Sequence, residues 1–187
     1  MEIGKKLYVT NRKQWHSWLA KNHDKEKEIW LVYYRKSSGK KRIPYNDAVE
    51  EALCYGWIDS IMKSIDEKSF TQRFTPRRSN SILSQLNKER VHRLIEEKKM
   101  TQKGLNAIKH AFDDSSKNSK CIIKEDILEL LKEDKKTWEN FQNFSESYKR
   151  IRMGWIEEAR NRPELFNKRL KYFLKMTAKN KTYGMLQ

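Results

Sequence analysis

Cysteine is scarce in this sequence. Cys54 and Cys121 lie far apart, too few and too distant for the disulfide framework of a small secreted domain, and neither joins a histidine at zinc-ligand spacing. The four histidines, His16, His23, His92 and His110, are equally scattered, so no metal and no cofactor is implied. Long apolar runs are missing as well. The densest, "IWLVYY", is far too short to span a bilayer, and the first fifteen residues hold no apolar core of a secretory signal. These absences lead to the expectation of a soluble, reduced, cytoplasmic protein without a membrane span. A glycine-rich phosphate loop, a G-x-S-x-G elbow and an HExxH helix are also absent, which leaves little positive sign of an enzyme. Glu50 and Glu51 in "AVEEAL" read as a solvated helix flank. Cys54, near a helix C-terminus where the dipole raises a thiol pKa, reads as inert packing.

What the chain does have is bulk and positive charge. Only 37% of its 187 residues are hydrophobic, yet six Trp, eight Tyr and seven Phe supply core material. This describes a folded domain with a charged exterior and not a disordered chain. Lys and Arg number 41 against 25 Asp and Glu, a net charge of +16. Such a surface favours an anionic partner: a nucleic acid, a phosphorylated small molecule or an acidic membrane surface. The excess is spread from Lys5 to Lys181 without a dense block, so a generically lysine-rich exterior accounts for it equally well.

Periodicity predicts an α+β fold: a small antiparallel sheet with helices, followed by an all-helical C-terminal part. A short strand at 7–9 leads to Thr10 as N-cap and a helix with Trp15, Trp18 and Leu19 on one face. "EIWLVYYRK" suits a central strand. A helix from Tyr45 or Asn46 to Tyr55 buries Tyr45, Ala48, Val49, Ala52 and Leu53, with Gly56 as its stop. "WIDSIMKSID" and "KSFTQRFTP" form a hairpin that Pro76 ends. Helices are expected at about 80–98, 102–112, 124–133, 135–143, 145–161 and 164–178. Polar "DDSSKNSK" reads as a linker, which divides the chain into 1–112, a linker at 113–120, and 121–187. No internal repeat is visible.

The stretch "RFTPRRSNSILSQLN", residues 73–87, concentrates the chemistry. On a helix beginning near residue 80, Ile82, Leu83, Leu86, Val91 and Leu94 form one apolar face, and Asn87 and Arg90 fall inside it. Buried Asn and Arg need partners. Trp57 and Asp59 share a face of the first hairpin strand, Arg73 lies on the second, and Arg77 and Arg78 precede the helix. In one account this is scaffolding: Asp59 pairs with Arg77 or Arg90, and Asn87 ties hairpin to helix. In the other, one aspartate cannot neutralise Arg73, Arg77 and Arg78, and the cleft between hairpin and helix holds a phosphate, sulfate or carboxylate. A third possibility is an enzyme centred on Asp59 and Cys54 with the arginines as an oxyanion or phosphate clamp. The candidate ligand residues are therefore Trp57, Asp59, Arg73, Arg77, Arg78, Asn87 and Arg90. In the C-terminal part, "SYKRIRMGWIEEAR" puts Tyr148, Ile151, Trp155, Ile156 and Ala159 on one face with Arg152 among them, a second buried cation.

"EEALCYGWIDS", "RFTPRRSNS" and "NKERVHRLIEEKKMTQKGL", preceded by "WHSWLAKNH" and "EIWLVYYRKSSGK" and followed by "YKRIRMGWIEEAR", together resemble the YdeI/OmpD-associated, or bacteriocin-protection, family. The matching residues are Cys54, Gly56, Trp57, Ile58, Asp59, Phe74, Thr75, Pro76, Arg77, Asn87 and Arg90. The resemblance implies a bacterial stress or bacteriocin-protection role and an envelope-protein association suggested by the family name. It brings no assigned catalytic activity. This sequence has Leu83 where the family commonly has Trp.

Overall fold

The computed structural model describes residues 2–113 and 119–184. Its contacts divide the chain into two compact units, Met1–Leu83 with Arg90–Asp113, and Ser84–Glu89 with Asp114–Gln187. Of the linker expected at 113–120, residues 114–118 lie outside the described residues.

The first unit holds β1 (Lys6–Leu7), α1 (Arg12–Asn22), β2 (Ile29–Tyr34), α2 (Tyr45–Cys54), β3 (Trp57–Ser64) and β4 (Ser69–Pro76). The strands form one sheet in the order β1-β2-β4-β3. Three strands run antiparallel as expected, and β1 adds parallel to β2 at the edge, which makes the sheet mixed. Asp66 closes the hairpin turn by accepting the Lys68 N–H at 2.7 Å. Ile29 lies opposite Phe74, which lies opposite Asp59, so these side chains share a face. Helices α1 and α2 cover it: Trp15 stacks edge-on against Phe74 and donates its indole N–H to the Ala48 carbonyl at 3.0 Å. The cap of α1 is Asn11 and not Thr10. Asn11 accepts the Gln14 N–H, while Gln14 accepts the Thr10 N–H, a reciprocal pair that places the cap one residue later.

The expected helix from residue 80 starts later. α3 spans Gln85–Glu96. The carbonyls that would open an earlier start are already taken: Arg78 O accepts from both the backbone N–H and the hydroxyl of Ser81, Ser81 O from His110, and Ile82 O from Arg77. Ile82, read as buried, is consequently 84% exposed, while Leu83 remains in the core. A short α4 (Gln102–Ile108) follows. Thr101 caps it and also donates its hydroxyl to the Cys54 carbonyl at 2.6 Å.

The helical unit contains α5 (Glu125–Lys132), α6 (Lys135–Asn143), α7 (Glu146–Glu157) and α8 (Pro163–Ala178). Asp134 and Ser145 cap α6 and α7, and Pro163 opens α8, a position where its missing N–H costs nothing. Ile127, Leu131, Phe141, Ile156 and Phe173 close its core. No helix among the described residues is long and apolar enough to cross a membrane.

Candidate functional site: a cationic cleft beside Arg77

Arg77 follows Pro76 at the end of β4. Its backbone N–H donates to the Gly56 carbonyl at 2.9 Å, so the residue is pinned where the hairpin leaves the sheet. Gly56 itself has φ +74°, and a Cβ there would sit 2.7 Å from that of Ala107, so both conformation and space require glycine. The Arg77 side chain is 8% exposed. Nη2 donates to the Ile82 carbonyl at 2.8 Å, whereas Nε and Nη1 are buried with no hydrogen-bond partner. Burial pulls the guanidinium pKa below the ordinary arginine value, and the charge of Asp59 pulls it back up. The cation is thus desolvated and only partly compensated, which is costly unless further negative charge comes near.

Above it lies a cleft of about 710 Å³. The turn contributes Arg77 and Ser79. The segment of α4 and its C-terminal end contributes Lys103, Asn106, Ala107, Lys109 and His110. Among the described residues no carboxylate lines it. His110 Nε2 lies 2.9 Å from the Ser81 carbonyl, which makes Nε2 the protonated nitrogen of the neutral ring and leaves Nδ1 as an acceptor.

The other residues singled out in the sequence divide. Asp59 accepts the Tyr45 hydroxyl at 2.6 Å. Arg90 is buried and donates to Asn46 Oδ1 at 2.8 Å; its pKa is lowered by burial, with Glu50, Tyr45 and Asp59 opposing. Asp59, Arg77 and Arg90 therefore share one electrostatic neighbourhood, with Tyr45 and Asn46 as hydrogen-bonding members that the sequence reading had not placed there. Trp57 is core: it is 1% exposed and donates to the His23 carbonyl at 3.1 Å. Arg73 leaves the group altogether. It lies opposite Trp30 on the other face of the sheet and pairs with Glu28 at 2.6 Å. Arg78 is exposed in the turn, and Asn87 is half-buried in the first turn of α3, its N–H donating to Ser84 Oγ.

Two carboxylates read as a solvated flank are buried. Glu50 and Glu51 are 3% and 5% exposed. Glu50 takes Arg12 at 2.6 Å and also Arg93, and Glu51 takes His16 Nδ1 at 2.9 Å. The sequence signal was Arg12 and His16, four apart on α1 and facing the acidic pair. Lys103, Asn106, Ala107 and His110 were legible in the same way: spacings of three, four and seven place them on one helical stripe.

In class, this is an α+β protein whose sheet unit carries a cationic cleft and whose remainder is a small helical unit. Residues 7–107, more than half of the 187, match the family described as a domain of unknown function (DUF8412), and the chain belongs to that family. Residues 120–180 match the family described as bacteriocin-protection, YdeI or OmpD-associated, which supports the kinship read from the motifs. The motif residues from Cys54 to Arg90 all fall within the first of these two regions. Comparison with curated proteins and with solved structures found no match.

Proposed function

We propose that this protein binds a small anionic ligand in the cleft between the Arg77–Ser79 turn and α4. It would do so as part of a bacteriocin-protection or related stress role, in a reducing compartment that suits its free thiols, Cys54 and Cys121. The cleft differs from the one expected between the hairpin and α3, since Arg73 is paired away and the second wall is α4. One observation carries the reading: Arg77 is a buried cation with two partnerless nitrogens, beneath a cleft that Lys103 and Lys109 line with no carboxylate among the described residues. A bound anion supplies the missing charge, and the low dielectric around Arg77 strengthens the attraction.

Isothermal titration with inorganic phosphate and sulfate at low salt tests this. Wild-type protein is expected to bind both, and Arg77→Gln to weaken binding by about ten-fold, in line with the loss of one charge-assisted contact. Lys103→Gln/Lys109→Gln, confined to exposed side chains, keeps the fold and should weaken it further. Undetectable binding to the wild type, or affinity indifferent to both variants, would sink the proposal.

A further inference from the structure

We infer that the ligand is a phosphomonoester of a polyhydroxylated body, of the sugar-phosphate class. The inference rests on the anion-binding reading and adds to it what the remaining lining groups can recognise.

Charge comes first. Arg77, Lys103 and Lys109 are three cations with no carboxylate among the described lining residues. One carboxylate, or one diester phosphate, leaves two of them unmatched. A terminal phosphate carries about −1.5 to −2 charge at neutral pH and offers three acceptor oxygens, which spreads over several donors what a carboxylate cannot.

The neutral groups define the rest of the ligand. Asn106 spends its Oδ1 on Gln102 Nε2 at 2.9 Å, so its NH₂ is what it offers the cleft. Ser79 can donate or accept. His110, with Nε2 committed to the Ser81 carbonyl, offers an acceptor at Nδ1. An acceptor beside three cations has no use for a bare anion; it suits a hydroxyl hydrogen. Donor, dual-function and acceptor groups side by side match the several hydroxyls of a polyol.

What the lining lacks narrows the class from the other side. Its apolar side chain is Ala107, and no Phe, Tyr or Trp lines the cleft among the described residues. A nucleobase would find little to stack on, since Arg77 is buried and the His110 imidazole is held by the Ser81 carbonyl, and stacking is a main source of affinity for bases. At about 710 Å³ the cleft also has room well beyond a single phosphate.

Titration calorimetry on the full chain at fixed pH and salt provides the test, with ribose 5-phosphate, inorganic phosphate, AMP, citrate and a short oligothymidine as probes. Ribose 5-phosphate is expected to bind about ten-fold more tightly than inorganic phosphate, with AMP no tighter than ribose 5-phosphate. His110→Ala and, independently, Asn106→Ala should weaken ribose 5-phosphate more than inorganic phosphate and so remove most of that advantage. Equal affinity for phosphate and ribose 5-phosphate would overturn the inference, because the body then contributes nothing. Citrate matching ribose 5-phosphate would overturn it by reducing recognition to charge. A roughly ten-fold preference for AMP or for oligothymidine would do so by pointing to a base or a diester strand. If no phosphate-bearing probe binds, the anion-site reading itself fails, and that result is distinct from the others.

Discussion

Cys54, at the last turn of α2, shows how one side chain separates the chemical readings. It is 1% exposed, and burial first, then the charge of Glu51, pushes its thiol up to about 12. A nucleophile needs the thiolate, and this setting opposes it. We expect Cys54 to resist iodoacetamide at pH 8 in the native protein and to react once the chain is unfolded; rapid native alkylation would contradict the burial. The same displacement has a consequence for stability. The folded state holds the proton more tightly than the unfolded chain, whose thiols titrate near 8.5. The stabilisation is therefore complete below that value and lost as pH rises through the interval to about 12. Tyr33 and Tyr45 are raised as well, chiefly by burial, and act in the same direction. Thermal melts should fall steeply on the alkaline side, beginning near pH 9, and Cys54→Ala should flatten the early part of that fall. Cys54 was legible from the sequence because a cysteine beside apolar helical positions leaves few choices. Arg73 was not: which face of β4 it occupies depends on register, and Glu28, its partner, lies 45 residues away.

Among the elements, α4 matters out of proportion to its seven residues, because it carries Lys103, Asn106 and Ala107 to the cleft. Its placement against α2 depends on Gly104. A Cβ there would lie 2.3 Å from the Cys54 carbonyl oxygen and 2.9 Å from that of Leu53. Both are backbone atoms that cannot swing aside. Gly104→Ala should cost about 1–3 kcal/mol in chemical denaturation, the usual range for overpacking, and should weaken phosphate binding by displacing the α4 wall. Thr101→Ala removes the cap and its bond to Cys54 O, a loss of about 1 kcal/mol. An unchanged midpoint for Gly104→Ala would mean that α4 docks elsewhere. Helix positions were readable to within a turn wherever a cap or glycine marked them, as at Asn11, Gly56, Asp134 and Ser145. The start of α3 was missed because tertiary donors, Arg77 and His110, took the carbonyls that local periodicity had assigned to a helix. The α4 wall was overlooked for a related reason. Its stripe is visible in "KGLNAIKH", but nothing local says that the turn some 25 residues earlier lies against it.

At the scale of the molecule there are two cores that share no residue, one around Trp15, Leu31, Trp57 and Phe74, the other around Ile127, Phe141, Ile156 and Phe173. The two family matches respect the same division, at 7–107 and 120–180. The net charge of +16 describes the whole chain and by itself marks no site; one buried arginine with two unpaired nitrogens sets the cleft apart from the rest of the basic surface. Because the cleft belongs wholly to the sheet unit, ligand binding should stabilise that unit by mass action. At a hundred-fold excess over Kd the gain is about 2.7 kcal/mol. Hydrogen exchange read by mass spectrometry resolves where it goes. Amides of β2, β4 and α2 that exchange only when the sheet unit opens should slow by roughly a hundred-fold with saturating phosphate ligand. Amides of α6 and α8, whose opening disrupts a different core, should be unchanged. Protection shared equally by both sets would show that the two cores open as one cooperative unit. Protection confined to α6 and α8 would move the anion site out of the sheet unit and away from Arg77.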